Sequence, residues 1–110
     1  MTRAEREVLL RALLAGVVGR PQADIPEGAH LREDLGLDSL MVVELLASLS
    51  DELGLGLDIR MARALSSRLG ASTVGPLVEE LLDVLEHLDE VVEVLHREEA
   101  DALADEIEPS

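Results

Sequence analysis

The 110-residue sequence contains no cysteine and no Phe, Trp or Tyr. Without cysteine the chain can form no disulfide, and any thiol chemistry would have to come from an added group. Without aromatic residues a core has to be built from Leu, Val, Ile, Ala and Met, which pack well between helices. The β-branched residues are too scattered to indicate strands. The sequence therefore predicts an all-α protein, long enough for one domain but not for two.

Basic residues are also scarce. There is no lysine, and nine arginines stand against 24 aspartates and glutamates, which gives a formal net charge of −15. This charge repels phosphates, so nucleic acids and anionic membranes are poor partners, whereas proteins with basic patches are attracted. No apolar run approaches the length of a membrane span, and the N-terminus lacks the apolar core of a signal peptide. We expect a cytoplasmic protein.

The first half of the chain predicts one helix followed by a long loop. Thr2 and Glu5 form a T-x-x-E capping box, which marks a helix start. Apolar residues then recur at helical spacing at Val8, Leu9, Ala12, Leu13 and Val17. Residues 20–38 have no sustained period and contain two prolines, so they are expected to be a loop anchored to the core by Leu31 and Leu35.

The second predicted helix runs from Ser39 to Leu53, stops at Gly54, and is apolar on two sides. At 100° per residue, one side forms the expected core face, with Val42, Leu45, Leu46, Leu49 and Leu53. The opposite side carries Leu40, Val43 and Ala47, interleaved with Glu44 and Asp51. A helix that only supports the fold would not need this second apolar patch.

Two more helical segments follow the second helix. Residues 59–69 predict a short helix that ends at Gly70. A longer helical pattern begins at Leu77 and shows a seven-residue recurrence at Leu81, Leu88 and Leu95. The pattern fades into an acidic tail. The a/d positions cover barely two heptads, which is short for a coiled coil. His87 and His96 lie in this segment without further ligands at suitable spacing, so no metal site is predicted.

Asp38 and Ser39 stand where the loop meets the second helix. One interpretation is a plain helix N-cap, because Asp and Ser oxygens accept the free backbone N–H bonds there. The other is a functional serine, because a helix N-terminus stabilises a phosphate through the same N–H groups and through its dipole. A serine hydrolase is disfavoured, since Gly-Leu-Asp-Ser-Leu lacks the second glycine of a nucleophile elbow and no histidine is visibly positioned as a base.

The stretch LREDLGLDSLMVVELLASLSDELG, residues 31–54, resembles the acyl carrier protein family around its attachment site for 4′-phosphopantetheine. The family's Asp-Ser-Leu matches Asp38, Ser39 and Leu40, and its Val-Glu-Leu matches residues 43–45. The resemblance implies a small four-helix bundle with a short third helix and a long first loop, covering residues 1–86. Residues 87–110 would be a helical extension that ends in a disordered acidic tail.

The resemblance also implies a function and a set of partners. A phosphopantetheinyl transferase would attach phosphopantetheine from coenzyme A to Ser39, and its thiol would carry acyl groups to a ketosynthase, an acyltransferase and other synthase enzymes. The carrier itself would catalyse nothing. The second helix would dock on these enzymes, with the partner-facing residues Leu40, Met41, Val43, Glu44, Ala47, Asp51 and Glu52.

Several alternatives stay open at this point. DSLMVVEL is more similar to carriers of polyketide synthases than to freestanding fatty-acid carriers, while a peptidyl carrier is disfavoured because its serine usually follows Gly-Gly or Gly-His. A carrier-like domain that is never modified and acts only as an acidic interaction module is the rival class. The extension could lengthen the last helix, form a fifth helix on the bundle or mediate a dimer. We favour a monomer.

Overall fold

The computed structural model describes residues 1–95 and 97. The helices are α1 (Arg3–Val18), α2 (Ser39–Leu53), α3 (Ile59–Arg68), α4 (Val74–Glu86) and α5 (residues 88–95). A short 3₁₀ turn, Gln22–Asp24, lies in the long first loop. Helix α2 packs against both α1 and α3, and α4 packs against α1. The predicted all-α bundle with a short third helix is confirmed, and no described helix is long and apolar enough to cross a membrane.

Helix α1 begins as predicted but turns a different face inward. The Thr2 hydroxyl accepts the Glu5 backbone N–H at 3.2 Å, which is the capping bond expected from the sequence. The core positions, however, are Leu10 and Leu14, at 1% and 2% exposure, whereas Val8 is 66% exposed. The apolar residues of α1 form two overlapping stripes. Contact with both α2 and α4 decides which stripe is buried.

The buried residues of α2 extend over more of the helix surface than a single apolar stripe would cover. Its buried residues are Val43, Leu45, Leu46, Leu49 and Ser50. Val43 is only 6% exposed, so the expectation that it faces partner proteins is wrong. Val42, which was assigned to the core face, is only half-buried. The physical reason is that α1 and α3 cover two different sides of α2, so much of its apolar excess serves the fold.

The last helical pattern is divided into two helices at His87. Helix α4 ends at Glu86, and the His87 backbone N–H donates to the carbonyls of Asp83 and Val84, both at 3.2 Å. The next residues form α5, whose Leu95 is 5% exposed and belongs to the main core. The extension therefore includes a separate helix packed on the bundle. His96 and residues 98–110, on which the predicted disordered tail falls, lie outside the described residues.

An ion cluster joins the start of α1 to the outer face of α4. The Arg3 guanidinium lies 2.9 Å from the Glu79 carboxylate and 3.3 Å from that of Asp83, and it also bonds Glu86. The hydrogen bond that Arg3 donates to the Glu86 carboxylate is the largest cause that raises the pKa of Arg3 above its ordinary value. Because these side chains are solvated, the ion pairs contribute little to the free energy of unfolding. Their main effect is to orient the start of α1 relative to α4.

Leu95→Ala should destabilise the protein if α5 is part of the core. Removing a buried leucine side chain costs about 2–5 kcal/mol, because its transfer energy is lost and a cavity remains. The adjacent Val94 is 38% exposed, so Val94→Ala is the matched control and should change the free energy of unfolding by less than about 0.5 kcal/mol. Urea denaturation followed by circular dichroism measures both.

Equal denaturation midpoints for the two variants would contradict this role for Leu95. A concentration-dependent dimer of the wild type in sedimentation velocity, lost in Leu95→Ala, would show instead that Leu95 acts between two chains.

Candidate functional site

The loop that precedes α2 is anchored immediately before the candidate serine. Leu37 is 3% exposed, and its N–H donates to the Leu31 carbonyl at 2.7 Å. Gly36 has a φ of 65°, a left-handed conformation that a residue with a Cβ adopts only at a cost. Its N–H donates to the Arg32 carbonyl at 3.0 Å. The turn therefore fixes the position at which α2 begins.

Asp38 and Ser39 have separate roles at the start of α2. The Asp38 carboxylate accepts the Met41 backbone N–H at 2.9 Å, so Asp38 is the N-cap. The N-cap interpretation of this pair is therefore confirmed for Asp38. Ser39 is the first residue of the helix and is exposed. Within the described residues no hydrogen bond engages its hydroxyl, which is thus available for another reaction.

Ser39 opens onto a cavity of about 360 Å³. The polar part of its lining is formed by His30, Arg32, Glu33, Asp38, Ser39, Ser66 and Ser72, and the apolar part by Leu31, Leu37, Val42, Leu69, Ala71 and Leu77. This volume lies in the range of small-molecule sites. The sequence analysis predicts no cavity at this position, so the cavity is a feature that sequence reasoning missed.

Backbone contacts between distant segments create this cavity. The Leu31 N–H donates to the Ser72 carbonyl at 2.9 Å, and the Val74 N–H donates to the Ala29 carbonyl at 3.1 Å. These bonds join the long loop to the segment around the start of α4. No local sequence signal indicates such a pairing, because the partners are more than forty residues apart.

Glu80 supports the same wall from α4. Its carboxylate accepts the Gly70 N–H at 3.0 Å and the Ala71 N–H at 3.3 Å. Ala71 lines the cavity, so Glu80 positions one side of the site without touching it. In the sequence Glu80 is one acidic residue among many, and only the folded chain distinguishes it.

His30 is better placed than its sequence position suggested. It lines the same cavity as Ser39, and its backbone N–H donates to the Asp34 carboxylate at 2.8 Å. Over the part of the chain that the structure describes, its imidazole forms no hydrogen bond with Ser39. A serine nucleophile needs a base within hydrogen-bond reach, so the arrangement does not resemble a hydrolytic triad.

The outer surface of α2 combines an apolar residue with acids. Leu40 is 61% exposed beside Ser39, and Glu44, Asp51 and Glu52 are exposed along the helix. Met41 and Ala47 are half-buried. The predicted partner-facing set is therefore brought to one helix, except for the buried Val43. No described group of three or more His, Cys, Asp or Glu residues is arranged to hold a metal ion.

The site fits a group attached through a phosphate. Ser39 is exposed, and its hydroxyl forms no hydrogen bond with the residues that the structure describes. It lies at the N-terminus of a 15-residue helix, where free N–H groups and the helix dipole favour negative charge. The adjoining cavity can receive part of a flexible arm. Fold and site together define a small helical domain that presents an exposed serine at a helix N-terminus beside a cavity.

Comparisons with known proteins give the family. Residues 8–81 match the family described as "Phosphopantetheine attachment site". The chain is 42% identical over 89 residues to an acyl carrier protein of Saccharopolyspora erythraea, covering 80% of this chain and 86% of that protein. It is 37% identical over 73 residues to the non-reducing polyketide synthase Preu6 of Preussia isomera, covering 62% of this chain and 3% of the synthase.

The chain therefore belongs to the acyl carrier protein family and contains that family's phosphopantetheine attachment domain. Proteins of this family carry 4′-phosphopantetheine as a covalent prosthetic group, and carrier domains of this kind are generally not catalytic. The resemblance drawn from residues 31–54 is confirmed at the level of the family.

Asp38→Ala should loosen the start of α2, because the bond to the Met41 N–H is lost. Replacing an N-cap aspartate by alanine costs about 0.5–2 kcal/mol. Asp38→Asn keeps an oxygen acceptor and should retain nearly the wild-type free energy of unfolding, as measured by urea denaturation. Equal losses in the two variants would show that the charge of Asp38, and not its capping bond, matters for stability.

Proposed function

We propose that Ser39 is the residue that receives 4′-phosphopantetheine and that the protein carries acyl groups between enzymes of a polyketide pathway. The observation that carries this proposal is the free hydroxyl of Ser39 at the N-terminus of α2, beside a capping residue that leaves it unengaged. The membership of residues 8–81 in the attachment family supports the same assignment.

The chain's own residues prepare the serine for modification. Asp38 caps the helix, and buried Leu37 anchors the turn, so the Ser39 hydroxyl is presented to an enzyme at a fixed position. Its oxygen would attack the phosphorus atom of coenzyme A that bears the pantetheine arm. The Oγ–P bond would form, the pyrophosphate bond would break to release the nucleotide, and the serine proton would pass to the transferase. The helix N-terminus then stabilises the resulting phosphodiester charge.

The attached group would supply the thiol on which acyl groups are held as thioesters. This chain has no cysteine, so it offers no thiol of its own that could compete for the acyl group. The cavity beside Ser39 would shelter part of the arm, with Val42 and Leu69 as apolar walls. The chain contributes a fixed attachment point and shelter, and the partner enzymes perform the chemistry.

The partner surface is the exposed side of α2. Leu40 offers exposed apolar area next to the attachment point, as expected of a contact site. The exposed acids Glu44, Asp51 and Glu52, in a chain with a net charge of −15, would attract enzymes with basic patches and raise association rates. Met41 and Ala47 would contribute at the edge of this surface.

The polyketide assignment rests on the relatives and on the attachment motif. A segment of the polyketide synthase of Preussia isomera matches this chain, and the acyl carrier protein of Saccharopolyspora erythraea supports the carrier role. The partners would then be a phosphopantetheinyl transferase, a ketosynthase, an acyltransferase and other synthase enzymes.

Intact mass spectrometry tests the attachment site. Incubation with coenzyme A and a broad-specificity phosphopantetheinyl transferase should add one phosphopantetheine to the wild type and none to Ser39→Ala. Ser66 and Ser72 line the same cavity, so Ser66→Ala and Ser72→Ala are matched controls and should be loaded like the wild type.

Addition of phosphopantetheine to Ser39→Ala would show that another residue is the attachment site. No loading of a folded wild type would favour the rival class, an acidic interaction module that is never modified.

Leu40→Ala should weaken docking without weakening the fold. Truncating an apolar anchor at an interface costs about 1–2 kcal/mol, so we expect kcat/KM of the transferase to fall roughly 5- to 30-fold. The free energy of unfolding should be unchanged, since Leu40 is 61% exposed.

Val8→Ala is the control, because Val8 is equally apolar and 66% exposed but lies on α1. It should leave kcat/KM at the wild-type value. Equal kinetics for Leu40→Ala and the wild type would remove Leu40 from the partner surface.

A further inference from the structure

Among the residues that the structure describes, Arg32 is the only arginine that lines the cavity beside Ser39. It belongs to the turn that leads into α2 and is exposed to solvent. Its backbone carbonyl accepts the Gly36 N–H at 3.0 Å. The backbone of Arg32 is therefore held in the turn that includes Gly36. Neither the attachment motif nor the docking surface assigns this arginine a role.

The Arg32 guanidinium also forms no ion pair with the described residues. Several other arginines do pair: Arg3 with α4 carboxylates, Arg11 with Glu27, and Arg97 with Glu93. This contrast matters because acids outnumber arginines by 24 to nine in the chain. Neither of the two acids that follow Arg32 in the sequence forms an ion pair with it among the described residues, and the Asp34 carboxylate accepts the His30 N–H. A cation with unused donors therefore borders the attachment cavity.

We propose that Arg32 binds the phosphodiester of the arm attached at Ser39 and thereby positions the arm toward the cavity. The inference rests on the proposed function of Ser39 and names a residue outside the family's Asp-Ser-Leu motif. A guanidinium can donate two parallel N–H bonds to phosphate oxygens, and such bonds are stronger and more directional than those of an ammonium group. Arg32 is thus a positioning residue for the prosthetic group.

The negative charges around the cavity favour a cation such as Arg32 at its border. Asp38 and Glu33 line the cavity with negative charge, and a phosphodiester at Ser39 adds another. The α2 N-terminus offsets part of that charge, but Asp38 already occupies the Met41 N–H. The exposed Arg32 side chain at the cavity border would supply the remaining positive charge where the phosphate would lie.

The test is ³¹P NMR of the protein after its loading has been verified by intact mass. In the wild type the ³¹P resonance should be shifted from that of free phosphopantetheine, and the shift should shrink as salt is added. Arg32→Gln should move the resonance toward the free value and remove its salt dependence. Arg32→Lys should give an intermediate shift, because lysine keeps the charge but not the forked geometry.

Arg63→Gln is the matched control. Arg63 is also exposed, lies on α3 and does not line the cavity, so its removal changes the net charge by the same amount. The ³¹P resonance should stay at the wild-type position in this variant. Identical resonances in Arg32→Gln and Arg63→Gln would overturn the inference. This failure is distinct from failure of the proposed function, in which no phosphopantetheine would be found on Ser39.

Discussion

The backbone pairing between the long first loop and the segment around the start of α4 is the constraint on which the site depends. Three hydrogen bonds, from the amides of Leu31, Val74 and Gly75 to carbonyls of the opposite segment, join stretches that are far apart in the sequence. This pairing forms one wall of the cavity and holds the turn that ends at Asp38. Because Glu80 fixes the same segment from α4, the site is built on contacts that exist only in the folded bundle.

The start of α2 shows how one short motif can serve both structure and function. Asp38 performs the ordinary capping role, and because it does so, the neighbouring hydroxyl of Ser39 is not drawn into the backbone. The N-cap and attachment interpretations are therefore complementary. The same free N–H groups and dipole that make a helix start need a cap also favour a phosphate beside it.

Helix α2 also shows why apolar patterns are incomplete guides to a binding surface. Its excess of apolar residues led to the expectation of a partner face that included Val43. The helix lies between α1 and α3, and burial of Val43 accounts for part of that excess. Leu40, in the first turn of α2, is still exposed. Periodicity identifies apolar sides, but the number of neighbouring helices decides how many are covered.

The sequence by itself determined the helical class, the bounds of α2, the capping bond of Thr2 and the family motif around Ser39. These features depend on composition and on contacts within a few residues, which a linear pattern records. The tertiary structure decided the inward face of α1, the break at His87, the cavity, and the positions of Glu80 and Arg32 beside it. Each of these depends on segments that are distant in sequence and meet only after the helices have packed.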